Sequence, residues 1–111
     1  MAKLEKTLHG RFQDILNALE DAVMRGSVTA SWEAASDFRQ GDCRCAVRVY
    51  ERYSAFGGNR VSLTITLFGN DGCCHLSAIA AGGSQGLFFK VNTLSENSFL
   101  DTIADTVNRL E

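Results

Sequence analysis

Apolar side chains recur every three to four residues in two segments of the chain, one that follows Gly10 and one at the C-terminal end. This spacing places apolar residues on one face of a helix. The first stripe consists of Phe12, Ile15, Leu16, Leu19, Ala22 and Val23, and the second of Phe99, Leu100, Ile103, Val107 and Leu110. Arg25 and Gly26 indicate the end of the first amphipathic helix. Thr93 and Glu96 form a capping box that predicts the start of the second.

The remaining segments alternate apolar with polar side chains, which is typical of half-buried β-strands. Turn-forming residues separate them in the sequences RQGD, FGGN, GNDG and GGSQG. The predicted strands are Lys3–Leu8, Val28–Phe38, Cys43–Ser54, Arg60–Phe68, Cys73–Ala81 and Leu87–Val91. Hairpin-linked strands form an antiparallel sheet, and two amphipathic helices can cover one of its faces. The sequence therefore predicts one two-layer α+β domain, an antiparallel β-sheet of about five to six strands with two helices packed on one face, in the order β-α-β-β-β-β-β-α.

The register between neighbouring strands decides which side chains face the helices. A loop of three residues at Phe56–Gly58 places Val49 opposite Ile65, so that apolar residues face apolar residues across the sheet. A loop of two residues would instead turn Arg48 and Tyr50 toward the apolar side of the next strand. We therefore expect the first register.

The turn at Asp71–Gly72 predicts the register of the next hairpin, because Asp-Gly favours a two-residue loop. The resulting pairs are Leu67–Leu76, Ile65–Ala78 and Leu63–Ala80. In this arrangement Cys45 and Cys74 lie on the face covered by the helices. Cys73 and His75 lie on the opposite, open face.

The open face is predicted to carry basic, aromatic and hydroxyl side chains on three strands, namely Arg48, Tyr50, Arg52, Thr64, Thr66, His75 and Ser77. Arginines beside an aromatic residue can bind an anion, although a solvated sheet face is also rich in Thr and Arg. Two further candidates are Glu51, a charged residue at a predicted inward position, and Trp32, a predicted core or interface anchor. We take all of these as candidate ligand-binding residues.

The cysteines raise the question of a metal site or a nucleophile, and their spacing argues against both. A structural zinc site has four ligands and typically a C-x2–4-C knuckle in a loop, whereas C-x-C and C-C here lie in predicted strands. Cys73 and His75 share a face, but no residue is placed to orient the histidine for catalysis. The loop GGSQG runs into a strand rather than a helix N-terminus, which is atypical of phosphate binding. The sequence thus predicts no catalytic residue, no metal and no cofactor.

Composition narrows the partners and the compartment. The chain has 111 residues and a formal net charge of -2, which argues against a nucleic-acid partner. It has no apolar N-terminal segment and no run long enough to span a membrane, so no membrane partner is expected. We expect a cytoplasmic protein whose cysteines are thiols.

Four stretches of the sequence resemble a known family. They are ASDF (35–38), CAVRVYERYS (45–54), GGNRVSLTITL (57–67) and GGSQGLFFKVNT (82–93). In these stretches the chain is similar to a family of small bacterial proteins defined only as a domain of unknown function. The resemblance implies a small bacterial cytosolic protein, and it implies no substrate and no functional residue.

Taken together, these features predict a non-enzymatic binding or interaction module. We expect it to form a homodimer through its sheet face, where Tyr50, Phe68 and Ile79 would be exposed. An alternative is a helix-grip-like binder of a small molecule or anion, with a pocket between sheet and helices beside the small residues Ala78 and Ala80. A third interpretation is a Cys/His-dependent enzyme or metal site, which a reactive thiol would indicate.

Overall fold

The fold is one antiparallel sheet with two helices on one of its faces. The computed structural model describes residues 2–27, 29–53, 60–82 and 89–111, and within the last range the side chains from Leu100 onward. The elements are β1 (Ala2–Gly10), α1 (Phe12–Gly26), β2 (Ser31–Gln40), β3 (Cys43–Tyr53), β4 (Arg60–Gly69), β5 (Gly72–Gly82) and α2 (Phe89–Leu110). The five strands form a single sheet in the order β1-β5-β4-β3-β2. The predicted two-layer α+β class is confirmed.

The core lies between the helices and one face of the sheet. The α1 stripe of Phe12, Ile15, Leu16, Leu19 and Val23 is buried, as are Ile103 and Val107 of α2. The sheet contributes the predicted inward residues of β4, namely Val61, Leu63, Ile65 and Leu67. The helical and strand periodicities therefore identified most of the core correctly. No described helix combines the length and the apolar character needed to cross a membrane.

Two predicted features near the C-terminal helix differ from the structure. A strand was predicted at Leu87–Val91, but α2 begins at Phe89 and includes Val91; residues 87–88 lie outside the described part. Thr93 consequently lies inside α2 rather than at its start, so the predicted capping box does not begin the helix. The apolar run LFF fits either a strand or a helix, and periodicity over so few residues does not separate the two.

The N-terminus of α1 is capped from a distant part of the chain. The backbone N–H of Phe12 donates a hydrogen bond of 3.0 Å to Oδ1 of Asp71, in the turn between β4 and β5. Arg11, at the N-cap position, makes no side-chain capping bond. The carboxylate of Asp71 thus satisfies one of the free N–H groups of the first helical turn and lies at the positive end of the helix dipole.

The register between β4 and β5 is the predicted one. Leu67 pairs with Leu76 across the two strands, and Gly69 pairs with Cys74. A Cβ at Gly69 would collide with the carbonyl of Cys73, so only glycine fits at this point of the hairpin. Cys74 is accordingly buried, and Cys73 is exposed.

The predicted register between β3 and β4 is wrong. Arg48 pairs with Ile65, and Tyr50 pairs with Leu63. The even-numbered residues of β3 therefore face the helices, and the odd-numbered ones, including Cys45 and Glu51, lie on the open face. The structure buries an arginine and a tyrosine here because α1 and β2 supply charged partners for the guanidinium. The predicted loop at Phe56–Gly58 lies outside the described residues.

Strand β2 extends beyond the cover of the helices. It pairs with β3 on one side only, and its residues are exposed apart from the half-buried Ser31. The register shifts between Trp32 and Ala34, so Glu33 forms a bulge. A bulge and charged side chains are common on edge strands, where they discourage uncontrolled pairing with other chains.

Candidate functional site

A shallow groove crosses the open face at β1, β5 and β4. Its volume is about 400 Å³, and its polar lining includes Glu5, Thr7, Thr66, His75 and Ser77. Strand pairing brings these side chains together, because Ser77 pairs with both Thr66 and Glu5. Oγ1 of Thr7 lies 3.3 Å from Nδ1 of His75, within hydrogen-bonding distance. This groove is the candidate functional site.

Four of the predicted site residues lie in or beside this groove. Thr66, His75 and Ser77 line the groove, and Thr64 lies two residues before Thr66 on the same face of β4, opposite Ile79. Sequence reasoning missed Glu5 and Thr7. Both lie on β1, whose pairing with β5 joins the first strand to the last and leaves no local signal in the sequence. That these residues bind a ligand stays a prediction.

Arg48, Tyr50 and Arg52 do not belong to the groove, although the sequence placed them there. Arg48 is 8% exposed and Tyr50 is 2% exposed, both on the side of the helices. Arg52 follows on the same side of β3, where burial lowers its pKa. The predicted anion site on the open face therefore lacks the arginines on which it was based.

Arg48 is instead the centre of an ion network that joins three elements. Its Nε donates to Oε2 of Glu20 on α1 at 2.7 Å, and Nη2 donates to Oδ1 of Asp37 on β2 at 3.1 Å. Nη1 donates to the carbonyls of Val47 and Ser36 at 3.0 and 3.4 Å. Burial opposes the charge, but the two carboxylates outweigh it, so the pKa of Arg48 is raised. The network ties the edge strand β2 to α1.

Tyr50 lies beside this network as a protonated phenol. Burial raises its pKa to about 12, the negative charge of Glu20 acts in the same direction, and Arg48 opposes it. The prediction that Tyr50 is exposed on the open face is wrong. Its ring packs in the core against the helices, and it is not available for stacking with a ligand from solvent.

Glu51 and Trp32 lie on opposite sides of the sheet, so they do not line one pocket. Glu51 was predicted to point inward, but it lies on the open face, where its Oε1 is 2.5 Å from Nη2 of Arg60. Trp32 is 64% exposed on the helix side of β2, so it is not a core residue; that it anchors an interface stays a prediction. Its indole N–H donates to the carbonyl of Ala34 at 3.2 Å.

The four thiols occupy different environments. Cys74 is buried, and Sγ lies 3.3 Å from the carbonyl oxygen of Asn70. Burial raises the pKa of the Cys74 thiol, and the neighbouring Cys73 and Asp71 contribute in the same direction. Cys73 is exposed, and Cys43 and Cys45 are half-buried on the open face. The prediction that Cys45 faces the helices is wrong for the same reason as for Arg48.

The open face also carries apolar side chains that the predicted register had hidden. Phe38 is 66% exposed and Phe68 is 49% exposed. On β3, Val47 and Val49 pair with Thr66 and Thr64 of β4 and are half-buried, and Ile79 is half-buried on β5. Within the described part of the chain, no group of three or more His, Cys, Asp or Glu residues is arranged to hold a metal ion.

Comparison with known proteins gives the family. The sequence model of the Family of unknown function (DUF6054) matches residues 1–111, so the chain belongs to this family. No curated protein matches the chain. A crystal structure of TTHA0849 from Thermus thermophilus is similar at 8% sequence identity, over 97% of each chain, with a TM-score of 0.32.

Proposed function

We propose that this member of DUF6054 is a non-enzymatic interaction module whose open face binds a second copy of the same chain. The observation that carries the proposal is the apolar character of that face, on which Phe38 is 66% and Phe68 49% exposed. Exposed apolar patches of this kind are typical of protein–protein contacts. We further propose that the protein is bacterial and cytoplasmic, since it resembles bacterial proteins and its described cysteines are free thiols.

The size of the open face suits a stable dimer. Five strands spaced about 4.8 Å apart, each about ten residues long, form a surface of about 24 Å by 33 Å. Its area of about 800 Å² is close to what each partner contributes to a standard interface. A symmetric dimer uses the same patch on both copies, so one face provides the whole interface.

The distribution of charge on the face favours the same partner. Lys3 and Glu5 form an ion pair of 3.7 Å on β1, and Arg60 pairs with Glu51 on the side of β3. Between these two ion pairs, the open face carries valine, phenylalanine and threonine side chains. A centre depleted in charge and bounded by polar residues is the usual composition of an interface core.

The experiment is sedimentation of the wild type and two matched variants at tens of micromolar. Phe68→Glu places a charge on the open face, and Met24→Glu places one on α1 at a residue of similar exposure, 46% against 49%. We expect a wild-type dimer, an unchanged Met24→Glu dimer, and a Phe68→Glu variant whose Kd is raised about 30-fold. A strictly monomeric wild type, or equal effects of the two substitutions, would contradict the proposal.

A second candidate function is the binding of a small polar molecule in the open-face groove. Its volume of about 400 Å³ lies within the range of small-molecule sites, and hydroxyl, imidazole and carboxylate groups line it. A thermal-shift screen of small polar metabolites tests this candidate. A ligand that stabilises the wild type and Met24→Glu but not His75→Ala supports it, and stabilisation that survives His75→Ala counts against it.

A further inference from the structure

Two thiols on β3 open into one groove. Cys43 and Cys45 are two residues apart on the open face, and both are half-buried. They line a groove of about 440 Å³ together with Phe38, Phe68 and the arginines 39 and 44. Phe68 lines both this groove and the polar groove at His75, and nothing in the candidate site uses these two cysteines.

The sheet holds the two thiols at a defined separation. Cys45 lies between Phe38 on β2 and Phe68 on β4, and Cys43 pairs with Gln40 on β2. Two residues of extended strand place the Cα atoms of Cys43 and Cys45 about 6.6 Å apart, with the Cβ atoms at a similar distance. A disulfide requires Cβ atoms about 3.5–4.5 Å apart. The paired strand therefore opposes a disulfide between them.

The same separation suits a metal ion held between two sulfur atoms in a line. With metal–sulfur bonds of about 2.3 Å, the sulfurs lie about 4.6 Å apart. Each sulfur reaches that position by leaning about 1 Å along the strand toward the other, without a change in the backbone. Soft thiolate ligands favour Cu(I), zinc and iron–sulfur clusters, and of these only Cu(I) accepts linear coordination by two thiolates.

We propose that Cys43 and Cys45 bind one Cu(I) ion per chain in two-coordinate geometry. Each thiol loses its proton and forms one sulfur–copper bond, so one cation replaces two protons and the oxidation state of copper does not change. The resulting complex carries one negative charge, and Arg39 is among the residues that line the same groove. Phe38 and Phe68 flank Cys45 on the two neighbouring strands. Zinc, which needs four ligands, is not satisfied by this pair.

The test is a titration of the reduced protein with Cu(I), without oxygen, against a chromophoric Cu(I) chelator. We expect one ion per chain. Cys43→Ser and Cys45→Ser should each raise the Kd by about 100-fold or more, because two linked ligands gain that much over one. Cys73→Ser, which removes an exposed thiol from the same face, is the matched control and should bind as the wild type does. Alanine variants replace the serine variants if circular dichroism shows that the latter have not folded.

Two further measurements check the geometry. X-ray absorption of the loaded protein should show copper with two sulfur neighbours, and peptide mapping after mild oxidation of the folded apoprotein should find no Cys43–Cys45 disulfide. Several results would overturn the proposal: no binding, one ion per two chains, unchanged binding in Cys45→Ser, equal loss in Cys73→Ser, additional ligands on the metal, or formation of that disulfide.

Discussion

Replacing Arg48 by methionine tests the register of β3, which places the even-numbered residues of this strand on the side of the helices. Methionine preserves much of the packing of the aliphatic stem and removes the guanidinium. In the structure this group lies 2.7 Å from Glu20 and 3.1 Å from Asp37, and the side chain of Arg48 is only 10% exposed. The substitution therefore leaves two carboxylates without their partner and releases β2 from α1.

The magnitude follows from how exposed the two carboxylates are. A hydrogen bond to a charged group contributes about 1.5–3 kcal/mol, and the Glu20 side chain is 34% exposed. The Asp37 side chain is 54% exposed, and an ion pair with such a group contributes less than about 1 kcal/mol. We expect the free energy of unfolding to fall by about 2–3 kcal/mol. At roughly 4 °C per kcal/mol, this lowers the Tm by about 8–12 °C.

The assay is urea and thermal unfolding followed by circular dichroism, with Arg44→Met as the control. Arg44 donates a hydrogen bond to Gln13 at 3.1 Å and lies over the ring of Phe12. Its substitution should lower the free energy of unfolding by less than about 1 kcal/mol. A double-mutant cycle of Arg48→Met with Glu20→Gln should give a coupling of about 1–2 kcal/mol. A loss within about 0.5 kcal/mol for Arg48→Met, the value of a surface substitution, would refute the register.

Three further predictions concern groups that the structure places in defined environments. Asp71→Ala should lower the free energy of unfolding by about 1 kcal/mol, because it removes the cap of α1. Asp71→Asn keeps a hydrogen-bond acceptor and should lower the free energy of unfolding less. Equal losses in urea unfolding would contradict the cap. Burial raises the pKa of Tyr50 from 10.0 to about 12, so the folded state holds this proton more tightly than the unfolded state. The contribution of this group to the free energy of unfolding is complete below pH 10 and is lost between pH 10 and about 12. Tyr50→Phe should make the free energy of unfolding depend less on pH in this range. An unchanged pH dependence would contradict the assignment. In native thiol labelling with peptide mapping, Cys73 should react first and Cys74 last, since Cys74 is buried and its pKa is raised; equal rates would contradict the described burial.

Local patterns in the sequence were sufficient for the helices and for one hairpin. The stripe of α1 runs from Phe12 to Val23, about three helical turns, long enough for its period to exclude a strand. Asp71 and Gly72 form a two-residue turn whose geometry fixes the pairing of β4 with β5, and so the burial of Cys74 and the exposure of His75. The part of the candidate site that lies on these two strands was predicted for this reason.

The register of β3 could not be predicted from apolar pairing alone. Arg48 and Tyr50 have long apolar parts that pack in a core, while their polar ends need partners there. For Arg48 these partners are Glu20 and Asp37, which are 28 and 11 residues away in sequence. A register chosen only because it pairs valine with isoleucine takes no account of charged partners so far away in the sequence. One register error then turned Cys45 and Glu51 to the wrong side, because each shift of one residue reverses every side chain.

The claim that the open face binds a second copy is tested most directly by paramagnetic relaxation between copies. A spin label is attached to Cys73 in chains whose Cys43 and Cys45 are serine, and these chains are mixed with unlabelled, methyl-enriched ones at a concentration where the protein sediments as a dimer. We expect the open-face methyl signals, those of Val47, Val49 and Ile79, to broaden more than the α1 methyl signals of Leu16, Leu19 and Val23, which lie behind the sheet. Broadening of the α1 methyls in place of the open-face ones, or no broadening at all, would contradict the claim.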